Sequence, residues 1–387
     1  MSLPTGAPAV RSAGVPRLLY LDNLRTALTV LVVLHHAAIA YSNVPRWYYL
    51  EPAADPSGMF LDLMLVFDQA FFMGAFFLIA GLFLPGSHDR RGGRGLLGER
   101  LLRLGIPLLA WLLLLRPLVT VGEYTAERDA ALAEGSALPY WEYYLTSLTP
   151  GPMWFVEVLF VFSALYVLWR YLTRGGRGAD RPSPEPGRAP GPVAVAGFVL
   201  GLGLAGYGWR IWLPMDAGFL GLPTPAYLPQ YAALFTVGVL AARRGLPAGL
   251  SGKAGRAGFA AAGAAAAAIL VLIVGSSGGT EFLGGGTWQS LVMAVSESVL
   301  AVGLITGLLV LFRDRLDRQG AFGRFLSEHA FTVYVVHPVV LVALGYAFSV
   351  VQAPAVAKFA LVAALGLPLC WMLAFPVRAL PGARKVL

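Results

Sequence analysis

The sequence predicts an all-α, polytopic membrane protein with about ten transmembrane helices and with both termini on the cytoplasmic side. Three observations support this prediction: 57% of the residues are hydrophobic, only 13% are charged, and apolar stretches of about 20 residues recur along the chain. A soluble protein of 387 residues needs far more polar surface than this composition supplies. The composition therefore excludes an ordinary soluble enzyme and makes the lipid bilayer a partner.

Ten apolar segments are separated by polar loops. No small-residue cleavage site precedes the first segment, so we expect it to be a retained span and not a signal peptide. The segments lie near residues 20 to 42, 59 to 84, 101 to 121, 152 to 172, 192 to 213, 228 to 242, 257 to 275, 287 to 312, 328 to 349 and 356 to 377.

The positive charges are distributed unevenly among the loops. Most of the 29 lysines and arginines fall in alternate loops, and such residues accumulate on the cytoplasmic side of membrane proteins. The asymmetry predicts cytoplasmic termini in a cell inner (plasma) membrane, and it accounts for the net charge of +8 without nucleic acid as a partner. The exceptions are Arg25, Arg46, Arg116, Arg128, Arg210 and Lys358.

Residues 1–387 are predicted to form a single transmembrane domain. Residues 174–192 are rich in Gly, Pro and Arg, so we expect a disordered cytoplasmic linker there. Residues 122 to 150 alternate acids with alanine and aromatic residues, which predicts a short helix on the outer surface. The alanine-rich stretch around residue 265 predicts a helix that its neighbours approach closely.

The first predicted helix has one polar stripe when its residues are placed at about 100° intervals. An ion inside a bilayer is costly, so this stripe is expected to face a protein interior or a water-filled cavity. An imidazole suits a general base, and a guanidinium suits an anion such as phosphate. The stripe contains Asp22, Arg25, Thr29 and His36, whereas His35 lies on another face.

In the purely structural interpretation of this helix, the Arg25 side chain extends to the lipid headgroups on the cytoplasmic side, and the two histidines only hydrogen-bond neighbouring helices. The placement of Arg25 and His36 on one face favours function instead, with His36, Arg25 and Asp22 as catalytic candidates. Glu157 is a further candidate because an unpaired carboxylate in a span is costly. It is expected to pair with His36 or another cation, to bind the acceptor, or to form only a structural pair.

Two other polar residues within spans have structural interpretations. Asp68 is expected to line the same cavity or to satisfy a neighbouring helix. His337 precedes Pro338, so its first expected role is to satisfy the backbone carbonyl that the proline frees, and its second is to line a pore.

The sequence carries no sign of a metal site. Its single cysteine, Cys370, excludes an intrachain disulfide and a thiolate cluster. No His, Cys, Asp or Glu group has metal-ligand spacing, and neither a phosphate loop nor a Gly-x-Ser-x-Gly elbow occurs. We therefore expect no metal cofactor.

Several motifs together resemble the membrane-bound acyltransferase 3 family, which includes glucan biosynthesis protein C and bacterial O-antigen O-acetyltransferases. The likeness covers nearly the whole chain in the family's order. The motifs are LDNLR followed by a histidine 11 positions after Arg25, FFMGAFFLIAGLFL in the second span, RLLRLGIP with Arg100, Arg103 and Pro107, MWFVEVLF, and FTVYVVHPVV.

The resemblance implies an acyltransferase that moves an acyl group from cytoplasmic acyl-CoA, such as acetyl-CoA or succinyl-CoA, to a hydroxyl of a glycan or another acceptor at or beyond the membrane. It also implies that His36 is the essential histidine with Arg25 as its partner, and that Arg100 and Arg103 contact the coenzyme A phosphates. A thioester is already activated, so the reaction mainly needs a base on the acceptor and a group that stabilises the oxyanion.

Two questions stay open at the level of sequence. His36 could deprotonate the acceptor directly or carry the acyl group itself. The alternative from another functional class is a proton-coupled secondary transporter or flippase, in which Arg25 binds an organic anion and His36 relays a proton.

Overall fold

The regular structure of the protein is helical throughout the part of the chain that the computed structural model describes, namely residues 18–44, 46–173, 189–245, 249–276 and 278–387. These residues contain no β-strand, which confirms the all-α prediction. The helices are α1 (Leu19–Ile39), α2 (Gly58–Arg100), α3 (Ile106–Ala110), α4 (Arg116–Val119), α5 (Val121–Ala133), α6 (Tyr140–Thr146), α7 (Trp154–Leu172), α8 (Pro192–Trp212), α9 (Leu228–Arg244), α10 (Gly252–Gly275), α11 (Trp288–Arg315), α12 (Ala321–Ala347) and α13 (Ala355–Ala379).

Each of the ten predicted apolar segments is helical. Within the described residues, seven helical stretches are long and apolar enough to cross a membrane. One of them, Gly58–Val119, is 62 residues long and contains the second and third predicted segments. The chain is thus a multi-pass membrane protein by its helices, while the number of ten crossings and the cytoplasmic termini stay predictions.

A glycine separates the second predicted segment from the third. Gly92 has φ 69° and ψ 172° inside α2, a backbone conformation that glycine adopts at little cost. The helix therefore bends at the arginine-rich sequence where a loop was predicted. Beyond the bend, the chain continues as helix through two single π-helical turns, Leu101–Gly105 and Trp111–Leu115.

Helix α1 lies at the centre of the fold, where it packs against α2, α11, α12 and α13. Its first turn is fastened to the loop that precedes α12. The backbone N–H of Tyr20 donates a 2.9 Å hydrogen bond to Asp317. The side-chain amide of Asn23 donates to the carbonyl oxygens of Leu316 and Arg318, at 2.6 and 3.0 Å. Asn23 in the LDNLR motif is therefore a structural residue that fixes the start of α1.

Small residues bring α10 and α11 into close contact, as the alanine-rich composition predicted. A Cβ atom added to Gly258 would lie 2.6 Å from the carbonyl oxygen of Gly303, and one added to Gly303 would lie 2.6 Å from that of Gly258. No side chain larger than hydrogen fits at either position without a shift of the helices.

A buried ion pair joins α8 and α11. The Arg210 guanidinium lies 2.5 Å from the Glu297 carboxylate, and each side chain is 3% exposed. The hydroxyl of Tyr227 donates a 2.6 Å hydrogen bond to the same carboxylate. These charges can remain inside the helix bundle because they satisfy one another.

Two predicted segment boundaries need correction. The outer segment from 122 to 150 forms two helices, α5 and α6, and not one. The linker predicted at residues 174–192 ends too late, because Pro192 already begins α8 with the fixed φ that suits a first helical turn. Residues 174–188 of that linker lie outside the described residues.

Candidate active site

A cavity of about 1180 Å³ lies between α1, α2, α7, α12 and α13. Helix α1 contributes Asp22, Arg25, Thr29 and Val32 to its wall. The spacing of these four residues places them on one face of the helix. The prediction that the polar stripe faces a cavity is therefore confirmed for Asp22, Arg25 and Thr29.

One end of the cavity is strongly basic. Three acids, Asp22, Glu99 and Glu328, also line it and offset part of the charge. The surplus of guanidinium groups suits an anion with several negative charges, since arginine presents a planar fork of donors to phosphate. The eight arginines in the lining are Arg25, Arg90, Arg91, Arg100, Arg103, Arg324, Arg378 and Arg384.

The cavity brings Arg25, Arg100 and Arg103 together, as the resemblance implied. The Arg103 guanidinium lies 3.6 Å from Glu99, which also pairs with Arg91, so Glu99 holds two of the arginine side chains in the wall. Sequence reasoning missed Glu99. It also missed the arginines of α12 and α13, because only the folded chain places them opposite Arg100 and Arg103.

Asp22 is a neighbour of Arg25 and not of His36. Its carboxylate lies 3.8 Å from the Arg25 guanidinium, one helical turn away. The rise of α1 separates Asp22 from His36 by roughly 21 Å. Direct proton transfer between Asp22 and His36 is therefore out of reach, and Asp22 lies beside Arg25 in the basic part of the cavity wall.

The inner end of the cavity is apolar, with one phenol. The hydroxyl of Tyr334 donates a hydrogen bond to the backbone oxygen of Pro152 and so holds α12 against the start of α7. This end suits an apolar or weakly polar chain better than an anion. Its lining residues include Val32, Met73, Phe76, Phe155 and Tyr334.

His36 lies one helical turn beyond Val32, next to this inner end. Its Nδ1 is 2.8 Å from the backbone oxygen of Val32, and a carbonyl can only accept, so Nδ1 carries the proton and neutral His36 presents Nε2 as a base. The structure records no hydrogen bond to that Nε2 from the described residues, and the side chain is half-buried. The His36 ring contacts Trp47 and His337, with centroids 4.5 and 4.8 Å away.

His337 has the structural role that was expected first. Its Nδ1 lies 2.8 Å from the backbone oxygen of Tyr334, the carbonyl that Pro338 cannot bond because proline has no N–H. The contact with His36 was not predicted, since α1 and α12 meet only in the folded chain. The available signal was a histidine directly before a proline inside a predicted span.

His35 has surroundings different from those of His36. Its Nδ1 is 3.6 Å from the Asp68 carboxylate, and its ring lies 4.9 Å from that of Phe72. Both His35 and Asp68 are buried. The predicted separation of His35 from the polar stripe is confirmed, and Asp68 lies beside His35 without a hydrogen bond between the two facing atoms, so neither of its two expected roles is confirmed.

The structure does not bring Glu157 to His36. Helix α7 turns Phe155 and Leu159 towards the cavity, whereas Glu157 is half-exposed and shares the opposite face with the exposed Val161 and Leu165. No ion pair or hydrogen bond to Glu157 is recorded from the described residues. Its carboxylate nevertheless acts electrostatically on Tyr334, which lines the cavity, so the catalytic role of Glu157 stays a prediction.

Comparison with known protein families identifies a family for the chain. Among the described residues, no group of three or more His, Cys, Asp or Glu side chains is placed to hold a metal ion. Neither a curated protein nor a solved structure significantly matches the chain. The family model described as an acyltransferase domain, that of the acyltransferase 3 family, matches residues 18–375. The chain therefore belongs to the acyltransferase 3 family of membrane acyltransferases.

Proposed function

We propose that this membrane acyltransferase moves an acyl group from acyl-CoA, such as acetyl-CoA or succinyl-CoA, to a hydroxyl of a glycan or another acceptor at or beyond the membrane. The observation that carries the proposal is the cavity, which is lined by eight arginines and extends to Val32, whose backbone oxygen bonds His36. Arg25 and His36 are separated by roughly 16 Å along α1. That spacing suits coenzyme A, whose phosphates and thioester lie at opposite ends of a long flexible arm.

In this proposal, the arginines hold the donor. Arg25, Arg100 and Arg103 contact the phosphates from one side of the cavity, and Arg324 and Arg378 approach from the other side. Asp22 orients Arg25 through their 3.8 Å contact. The arm then passes between the apolar side chains, and the thioester lies beside His36. Because the guanidinium groups lie at the phosphate end of the donor, they help to bind and orient it. They do not stabilise the oxyanion that forms at the thioester.

The chemical step needs one base, and His36 supplies it. The acceptor hydroxyl gives its proton to Nε2 of His36 while its oxygen forms a bond to the thioester carbonyl carbon. The carbonyl electron pair moves to oxygen and returns as the C–S bond breaks. The thiolate takes the proton from the His36 imidazolium, so the products are an ester and free coenzyme A. The bond from Nδ1 to Val32 fixes the tautomer that this step requires. Glu157 receives no part in this step, because no hydrogen bond or ion pair among the described residues joins it to His36.

The test is transfer of label from acetyl-CoA and from succinyl-CoA, each labelled in the acyl group, to the base-labile glycan and lipid fractions of membranes that contain the protein. We expect His36→Ala to lower transfer by about 100-fold or more, which is the usual contribution of a general base. His35→Ala is the matched control, because the neighbouring imidazole points to Asp68; per folded protein it should keep transfer within a few-fold.

Two results would contradict the proposal. One is wild-type transfer by His36→Ala together with loss of transfer in His35→Ala, which would exchange the roles of the two histidines. The other is uptake of an organic anion by vesicles without any dependence on coenzyme A, which would favour the transporter.

A further inference from the structure

Three aromatic rings meet in the wall of the cavity, and the proposed mechanism uses none of them. They belong to Phe325 and His329 of α12 and to Phe375 of α13, and we name them together the aromatic cluster. All three residues line the cavity. The ring centroids of Phe325 and His329 are 4.5 Å apart. The ring of Phe375 lies 6.1 Å from that of Phe325 and 5.9 Å from that of His329.

The aromatic cluster lies at the arginine end of the cavity. Arg324 directly precedes Phe325, and Arg378 follows Phe375 by three positions, which is about one helical turn. Both arginines line the cavity. Tyr334, at the inner end, is nine positions beyond Phe325 and therefore roughly 14 Å further along α12. The rings are thus next to the guanidinium groups and distant from the apolar end beside His36.

His329 adds one hydrogen-bond acceptor to the cluster. Its Nδ1 lies 2.7 Å from the backbone oxygen of Phe325. Since a carbonyl can only accept, Nδ1 donates, and the neutral ring keeps Nε2 as an acceptor. The structure records no hydrogen bond to this Nε2 from the described residues, although His329 is only 7% exposed. A group inside the cavity can therefore donate to it.

Flat rings next to guanidinium groups suit a nucleotide, because aromatic side chains stack on bases and arginine binds phosphate. The donor of the proposed function has one aromatic ring system, its adenine, which a ribose joins to the phosphates. A base on the aromatic cluster places these phosphates near Arg324 and Arg378, and its amino group can donate to Nε2 of His329.

We propose that the aromatic cluster binds the adenine base of the donor and that Phe325 is a specificity-determining residue for that base. This inference rests on the proposed function and specifies how its donor is recognised. A thioester on the phosphopantetheine arm of a carrier protein has no base, so the cluster favours a free nucleotide thioester as the donor.

The experiment measures, by calorimetry, the binding of two probes to the full chain in lipid nanodiscs. The probes are adenosine 3′,5′-bisphosphate and its abasic analogue, 1,4-anhydroribitol 3,5-bisphosphate, which differ only in the base. We expect Kd to be about tenfold or more lower for the adenosine probe, because stacking of one base on an aromatic side chain has an effect of this size. Acetyl-CoA should displace the bound probe.

Two variants separate base binding from the packing of α12 against α13. Phe325→Leu keeps an apolar side chain and removes the ring, so it should stay folded, bind the abasic probe as the wild type does, and lose most of the preference for the base. Phe322→Leu is the matched control, because Phe322 is on the same helix, is 73% exposed and lies outside the cavity lining. It should keep the wild-type preference. If Phe325→Leu does not fold, Phe375→Leu takes its place, since Phe375 is 58% exposed.

Three outcomes would overturn the inference. They are equal affinity of the wild type for the two probes, a wild-type preference in Phe325→Leu, and an equal loss of the preference in Phe325→Leu and Phe322→Leu. The second of these would leave the rings with only a structural contact between α12 and α13. Failure of acetyl-CoA to displace an adenosine probe that binds with the expected preference is a different result. It contradicts the donor of the proposed function itself and leaves a nucleotide site with another role.

Discussion

At the scale of single residues, Asp55 caps a helix that lies far from it in sequence. Its carboxylate accepts a 2.8 Å hydrogen bond from the backbone N–H of Ala355 in the first turn of α13. The hydroxyl of Ser57 accepts from the next N–H, that of Val356, at 3.1 Å. The segment between α1 and α2 thereby satisfies two donors that the first turn of a helix leaves open.

These contacts make one part of the stability depend on pH. Hydrogen bonds from Ser57 and from the Ala355 N–H lower the pKa of Asp55 below its ordinary value. A carboxyl whose pKa is lower in the folded state stabilises the fold above its unfolded-state pKa and loses this contribution as pH falls through the folded-state pKa. We expect Asp55→Asn to lower the thermal midpoint at neutral pH, and the difference from wild type to shrink towards pH 3. A difference that stays constant across that range would contradict the role of the charge.

Helical periodicity predicted the orientation of the polar side chains better in α1 than in the other helices. Asp22, Arg25 and Thr29 could be placed on one face because a stripe of polar residues in an apolar helix shows which side avoids lipid. Glu157 is the single acid in α7, and a single residue does not show which way its helix is turned. The contact between His36 and His337 joins distant parts of the chain, so no local pattern predicts it.

At the scale of helices, the contact between α10 and α11 depends on glycine. A Cβ on Gly258 would meet the carbonyl oxygen of Gly303 at 2.6 Å, and forcing extra atoms into a packed contact costs roughly 1–3 kcal/mol. We expect Gly258→Val to lower the midpoint of unfolding, measured by heating the purified protein. Gly263→Val on the same helix is the matched control, because a Cβ there meets nothing within 4 Å. Equal effects of the two variants would show that helix propensity alone, and not the contact, explains the loss.

Apolar length and periodicity predicted the helices well. The ten segments are all helical because a run of apolar residues inside a bilayer must bond its own backbone. The details of the helices that were predicted wrongly depend on particular residues. The bend at Gly92 is made inside a helix by one positive φ, and the outer segment is divided between α5 and α6 around Gly135, which also has a positive φ of 75°.

At the scale of the whole molecule, the proposed function depends on which ligand binds the eight arginines that line the cavity. The sequence predicted Arg25, Arg100 and Arg103 by resemblance, whereas Arg324 and Arg378 joined them only when α12 and α13 packed against α1. Guanidinium groups on both sides of one cavity favour a ligand with several anionic groups. Coenzyme A has several such groups at one end, whereas a simple organic anion has only one or two.

The most direct test is the thermal midpoint of the purified protein with acetyl-CoA, succinyl-CoA and free coenzyme A. A ligand that binds only the folded state stabilises it by about 2.7 kcal/mol at a concentration of 100 times Kd. We predict a rise in midpoint for the wild type that disappears in the Arg100→Ala, Arg103→Ala double variant and persists in Arg94→Ala, the control, whose exposed side chain lies outside the cavity wall. No rise with any of the three ligands in folded protein would contradict the donor that we propose and would favour the transporter.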